Sequence, residues 1–314
     1  ERLMVVLAQD LAELTDEFAL VDEAAAEAGR AGRCHRVRRS WAGVPAGGHI
    51  SAVIWGEDSP ELVFLHDRRE SARAWDTVAL ASDRPAAAID LPGHGRSGWR
   101  RDGRYEPARI TPAVAEAIRA FAPRVRLVVG TGLGGLTALA VSRRYPGLVP
   151  AIALVNTLPG ARADRARPGQ GPERFGGPDE AFGVLAARHP ERPRAALRRE
   201  VRHELVRGPD GSWVWRHHPG NLPARPDPGP SLGPDPACDE LAQLPVPVTL
   251  VRSGGDGPLP EAQPARLRQR APQIGLVTVA GTGPDLAAIH PRELAAALDG
   301  LLSEPVSGAP AGRG

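Results

Sequence analysis

The sequence has no lysine, so all 39 of its basic residues are arginine. It has two cysteines, Cys34 and Cys238, too few for a disulfide framework or a cysteine metal site. Two reduced thiols fit a cytoplasmic protein. No apolar run approaches the ~20 residues that span a bilayer, and the first residues lack the basic-then-apolar order of a signal peptide. A dominant charge is missing too: the net charge is +2, with acids and bases interspersed. Arg36, Arg38 and Arg39 make a local patch at most, so neither nucleic acid nor a membrane is expected as a partner.

What is abundant is Ala, Gly, Pro and Arg together, the bias a GC-rich genome imposes. The 314 residues, 42% of them hydrophobic, suffice for one large domain with an insertion. Residues 1–35 read as a helical extension, with Leu3, Val6, Leu7, Leu11, Leu14, Phe18 and Val21 mostly three or four apart. Such a helix packs across its own domain or makes a homodimer. Residues 36–41 and 49–55 read as antiparallel strands about a Pro-Ala-Gly-Gly turn. From residue 62 strands and helices alternate: strands at 62–65, 86–89, 125–129, 152–155, 246–251 and 276–279, helices after the first strand and at 111–121 and 291–302. Residues 157–240 break the alternation with Pro, Gly and Arg and with helical islands at 179–188 and 193–206, as a cap or lid does. The stretch 219–236 reads as a floppy connection, and 303–314 as a disordered tail. The domain reading is therefore a core of 36–156 and 241–302, interrupted by a cap at 157–240. Alternating strands and helices predict an α/β fold, a doubly wound, mostly parallel sheet with ligands at the carboxyl ends of its strands.

The central stretch is Gly130-Thr131-Gly132-Leu133-Gly134, after a buried strand and before a small-residue helix. Strand, glycine turn and helix form a nucleophile elbow, G-x-S-x-G. The frame is intact, but the nucleophile position holds Gly132. The same residues also match G-x-G-x-x-G. The acid that a dinucleotide fold places about twenty residues later is absent, because the next strand ends at Asn156. No cofactor is expected.

With the elbow, the string Asp90-Leu91-Pro92-Gly93-His94-Gly95-Arg96-Ser97 resembles the α/β-hydrolase superfamily over residues 36–302. The resemblance implies an α/β-hydrolase fold with a mainly helical cap inserted after the strand ending at Asn156. By position the nucleophile becomes Gly132, and the histidine of the late G-x-G-H loop becomes Pro284. The acid is kept as Asp256, and Asn156 stands at a second acid site. The oxyanion loop, usually His-Gly, reads His66-Asp67-Arg68. The usual route needs an attacking oxygen and a base, and neither Gly132 nor Pro284 supplies one. His290 is a displaced base or, more simply, a helix-entry residue.

What remains is the Leu133 amide as an oxyanion donor, Arg68 as an anion holder, and Asp67 or Asp256 as general base. His66, Gly132, Leu133 and Asn156 shape the oxyanion and substrate site, with Trp213 and Trp215 lining a lid over a bulky, apolar ligand. His203, His217 and His218 lack metal-ligand spacing, so no metal is expected. Three functions stay open. The leading expectation is a non-hydrolytic enzyme of natural-product biosynthesis, forming carbon–carbon bonds or cyclising a polycyclic or polyketide-like substrate by positioning and oxyanion stabilisation. The others are a catalytically silent ligand- or partner-binding protein and a hydrolase or lyase whose carboxylate activates water.

Overall fold

In the computed structural model, residues 17–33, 36–44, 48–159, 174–218, 234–255, 257, 259, 263–281 and 283–303 are described. The chain opens on helix α1 (Val21–Glu27), followed by strands β1 (Val37–Gly43), β2 (His49–Trp55) and β3 (Leu62–Leu65). A 3-10 turn at Ala72–Trp75 runs into α2 (Asp76–Ala81), then β4 (Ala86–Asp90), α3 (Pro107–Phe121), β5 (Leu127–Thr131), α4 (Gly132–Arg144) and β6 (Ile152–Val155). The cap holds β7 (Arg174–Phe175), α5 (Pro178–Arg188), α6 (Arg194–Glu204), β8 (Leu205–Arg207) and β9 (Trp213–Trp215). The chain returns through α7 (Pro234–Ala242), β10 (Val248–Ser253), α8 (Gln263–Arg270), β11 (Gly275–Val279), α9 (Leu286–Ile289) and α10 (Pro291–Ser303).

Eight strands form one sheet in the order β1-β2-β4-β3-β5-β6-β10-β11. Strand β2 runs antiparallel to both its neighbours, and the other pairs are parallel. The Leu-Val-Phe-Leu run of β3 explains its central place, because a strand covered on both faces needs no polar alternation. Val63 and Leu65 pack with residues of α3 and α4, while Leu62 and Phe64 pack with α1, α2 and α10. The fold is the α/β-hydrolase arrangement that the motifs imply.

The cap adds to its helices a three-stranded antiparallel sheet, β7-β9-β8. Trp213-Val214-Trp215 forms its middle strand, as aromatic and β-branched residues favour. Residues 234–236, read as the end of a loose connection, begin α7. Of the N-terminal extension only α1 is a described helix. Its Val21, Ala24 and Ala25 are buried in the chain's own core. Residues 1–16, Cys34, most of 219–236, Asp256 and the tail from 304 lie outside the described residues. Among the described residues no helix is long and apolar enough to cross a membrane.

Asp90, fully buried at the end of β4, pins the sequence-distant pieces around the strand ends. Its Oδ2 accepts from Arg39 Nη1 at 2.6 Å, from Ser51 Oγ at 2.5 Å and from the Arg96 amide at 3.0 Å. Its Oδ1 accepts the Ala72 amide at 2.7 Å. Burial alone would raise this carboxyl, but the Arg39 charge and the hydrogen bonds hold it down at about 2. Arg39 is itself buried and also pairs with Glu17. Gly95 sits at φ +50, and a Cβ there would overlap the Asp90 carboxyl, which explains this glycine of the D-x-P-G-H-G string. Replacing Asp90 by Ala strands part of a buried arginine's charge, so we expect a loss of roughly 3–5 kcal/mol in urea unfolding. A loss below ~1 kcal/mol would show that Asp90 is not the pin described.

Candidate active site

Strands β3, β5 and β6 end side by side, and their loops make the site. The turn from β5 into α4 is tight because glycines allow it. A Cβ at Gly130 would run into the backbone of Gly134 and Gly135, and one at Gly134 would run into the Leu65 and His66 carbonyls. Gly132 stands at φ +49, the strained position of the elbow. Its amide donates to Thr157 Oγ1 at 2.7 Å.

The space above Gly132 is filled. The carboxyl of Asp67, from the loop after β3, lies where a side chain at 132 would begin, and a Cβ there would overlap all three carboxyl atoms. Asp67 Oδ1 accepts the Leu133 amide at 2.7 Å and the Arg68 amide at 2.7 Å. One carboxylate oxygen thus occupies the donor pair, one amide from the elbow and one from the oxyanion loop, that would hold a substrate's oxyanion. The expectation that Leu133 offers a vacant oxyanion donor is corrected: its N–H is already bonded, because an acid 66 residues away reaches it.

The other expected site residues separate. His66 is buried; its Nδ1 pairs with the Asp67 carbonyl at 2.7 Å and its Nε2 accepts the Leu91 amide at 3.0 Å. Burial lowers its pKa, so it is a neutral pin between two loops. Arg68 contributes its amide; the residue is exposed and its side chain does not line the cavity. Asn156, at φ +47, donates Nδ2 to the Pro284 carbonyl at 3.1 Å and accepts the Ser253 amide at 3.0 Å. It ties together the ends of β6, β10 and the late loop. His290 packs its ring against Gly281 in that loop, and a Cβ at 281 would strike it. Trp213 and Trp215 are not over the site. They pack on the cap's own core of Phe175, Leu185, Leu197 and Val201, with Trp215 edge-on to Phe175 at 5.2 Å.

Between the Asp67 loop, α6 and α9 lies a cavity of about 130 Å³. Its lining mixes charged side chains with apolar ones, among them Trp75, Val155 and Leu286. Glu70, Glu204, Arg192 and Asp285 line it, and none of these was singled out from the sequence. Glu70 Oε2 accepts the Asp67 amide at 3.0 Å. Burial, then the nearby Asp285 and Asp67 carboxyls, push Glu70 up to about 8. Glu204, buried on α6, is likewise pushed up to about 8 by burial. Arg192 holds Glu200 at 2.7 Å and Asp285 at 3.2 Å. Among the described residues no group of three or more His, Cys, Asp or Glu is placed to hold a metal ion.

A profile of the alpha/beta hydrolase family matches residues 62–297. The chain is 35% identical over 298 residues to Esterase Rv0045c of Mycobacterium tuberculosis, covering 91% of this chain and 96% of that protein. The crystal structure of that esterase superposes with a TM-score of 0.78 over 92% of this chain and 98% of its own. A pimeloyl-acyl-carrier-protein methyl ester esterase of Sodalis glossinidius is 35% identical over 127 residues, 39% of this chain and 47% of that protein. These relatives are hydrolytic. They overturn the expectation of a non-hydrolytic, carbon–carbon bond-forming or cyclising enzyme of natural-product biosynthesis.

The raised carboxyls fix a pH dependence of stability. An acid whose pKa rises from about 4.5 to about 8 on folding stabilises the fold fully below the lower value and loses that contribution as pH climbs through the upper one. Stability should therefore fall between about pH 4.5 and 8, each such group contributing a slope of at most ~1.4 kcal/mol per pH unit. Urea unfolding of wild type and Glu204→Gln across this range should show a shallower slope in the variant. Equal slopes would mean that Glu204 ionises in the fold as it does in the unfolded chain.

Proposed function

The chain belongs to the alpha/beta hydrolase family, and from that premise we propose that it hydrolyses carboxylic esters with a water activated by the Asp67 carboxylate in place of a serine. The observation that carries the reading is the overlap of the Asp67 carboxyl with the missing side chain of Gly132. The reacting oxygen of an elbow hydrolase works at this place, and here the oxygens belong to an acid at the cavity wall. Similarity to esterases over nearly the whole chain supports the reaction class.

The chemistry follows from the geometry. The two amides fix Asp67 Oδ1 and with it the orientation of the carboxylate. Oδ2 is then the base that takes a proton from water as the water oxygen bonds to the acyl carbon. Because Oδ1 fills the amide pair, the developing charge on the acyl oxygen needs another partner. Glu70, at about 8, holds its proton at neutral pH. With Oε2 accepting the Asp67 amide, its other oxygen carries that proton and donates it to the acyl oxygen or the departing alcohol. A carboxylate base beside an acid that burial keeps protonated makes such a pair. We place the protein in the cytoplasm, a reading that rests on its cysteine usage.

The test is hydrolysis of short-chain p-nitrophenyl esters in water enriched in oxygen-18. Wild type should put the label into the acid product, and Asp67→Asn should lose ~100-fold or more in kcat. Gly132→Ser should not raise activity, because the new side chain must displace Asp67. Undiminished turnover by Asp67→Asn would end this reading, and an inert wild type would favour a silent binding protein.

A further inference from the structure

The cavity wall also holds buried polar atoms that hydrolysis at Asp67 leaves unused. Glu204 is 3% exposed and Asp76 4% exposed, and both line the chamber. Among the described residues no hydrogen bond reaches Glu204 Oε2 or Asp76 Oδ1, although Ser71 bonds the Glu204 carboxyl. Buried polar atoms are rarely left so, and an unmet carboxylate oxygen in a low-dielectric wall is costly.

The charges around these atoms are unequal. Six carboxyls line the chamber against three guanidinium groups. With Glu70 and Glu204 pushed up toward neutrality the ionised acids still outnumber the arginines, and the arginines are engaged. Arg192 is held by Glu200 and Asp285. Arg199 is held by Glu23 at 2.8 Å and by Glu27. Arg73 Nη2 pairs with Asp76 at 2.8 Å, and its guanidinium lies over the Phe18 ring at 5.0 Å. Among the described residues these arginine ion pairs leave out Asp67, Glu70 and Glu204, although Arg216 acts on Glu204 and Arg192 on Glu70 through their charges. His203, beside Arg73, cannot supply the missing cation: burial, then the Arg73 charge, keep it neutral.

We propose that this chamber is a subsite for a small cationic amine seated between Glu204 and Glu70, so that the ester cleaved at Asp67 is one whose alcohol or acyl part carries an ammonium group. The ammonium site stands without the hydrolase reading; the ester attached to the ammonium rests on it. An ammonium donates to Glu204 Oε2 and offsets the acid excess. It also draws the raised Glu204 carboxyl toward its ionised form, so its binding releases a proton at neutral pH. A neutral alkyl group of the same shape would leave the oxygens unmet and be rejected, as a site built of buried polar groups rejects an analogue that cannot pair with them. Arg73 Nε and Nη1 also lack partners, so an amine that bears an oxygen acceptor fits better than a bare alkylamine. The volume, about 130 Å³, suits an amino alcohol and not a polycycle.

The probe is N,N-dimethylethanolamine, with 3-methyl-1-butanol as its neutral counterpart, titrated calorimetrically into the whole chain at pH 7 in two buffers of different ionisation enthalpy. The amine should bind ~tenfold or more tightly than the alcohol, with a buffer-dependent heat that reports proton release. Glu204→Gln should weaken the amine by ~tenfold and reduce the release. If that variant fails to fold by circular dichroism, Glu204→Asp, which shortens the reach of the carboxyl, carries the expectation of weaker binding. Equal binding of the two probes, no binding of either, or an amine affinity and proton release indifferent to the substitution would overturn the site. Hydrolysis of dimethylaminoethyl butyrate against 3-methylbutyl butyrate separates the two readings. Amine binding with neither ester cleaved keeps the subsite and removes the hydrolase. Equal kcat/KM for both esters with no amine binding removes the subsite and keeps the hydrolase.

Discussion

Two groups share one space at the centre of this molecule: the side chain that position 132 lacks and the carboxyl of Asp67. Only glycine at 132 lets Asp67 reach the Leu133 amide, and that amide together with Arg68's makes the carboxylate's place a fixed one. The rest of the site is arranged around this exchange. Glu70 caps the Asp67 amide, His66 pins the Asp67 carbonyl to the next loop, and Thr157 satisfies the Gly132 amide. An elbow that merely lost its serine would leave two unpaired N–H groups at the strand ends. Here both are met by an acid of the same chain.

The same logic, a polar group fixed by partners from several segments, recurs at Asp90, yet the two acids differ in what surrounds them. Asp90 is fully buried, lies against Arg39 and is held ionised, so it organises loops and offers no reactivity. Asp67 is partly open and lines the cavity. Around it the strongest perturbations are upward, on Glu70 and Glu204, because the cap seals carboxyls in without supplying enough arginine. Groups pushed toward neutrality beside an anchored carboxylate are a common arrangement for acid–base work.

The fold was legible in the sequence because its signals are local. Apolar runs gave the strands, the glycines at 130 and 134 gave the close approach of α4, and the string from Asp90 to Ser97 carried the family resemblance. Strand β9 was less legible: Trp213 and Trp215 read as a ligand wall, although aromatic residues serve equally well as the core of a small cap. The site was legible in part. The loss of nucleophile and histidine stands plainly at Gly132 and Pro284, and Asp67 was named as a base. That Asp67 lands on the Leu133 amide could not be read, since no pattern links residues 66 apart. Glu200 and Glu204 lie on an Arg- and Glu-rich helix that resembles a solvated face until the core closes over it. A helical plot of 193–206 that set Glu200 and Glu204 one turn apart on the side of Leu197 and Val201 would have been the one available hint. The inferred reaction class failed for a different reason. Hydrolysis by a carboxylate-activated water ranks below carbon–carbon bond formation in the sequence because nothing local shows that Asp67, an acid new to this loop, reaches the elbow.

The most direct measurement is the backbone amide resonance of Leu133 and Arg68 by nitrogen-15 NMR through an acid titration. If Asp67 Oδ1 occupies the amide pair, both N–H protons lie downfield and move together as the one carboxylate is protonated, and both shift upfield and stop titrating in Asp67→Asn. Two amides that titrate independently, or that are unchanged in Asp67→Asn, would show that the carboxylate does not hold the serine's place, and the account of the site built on it would fail.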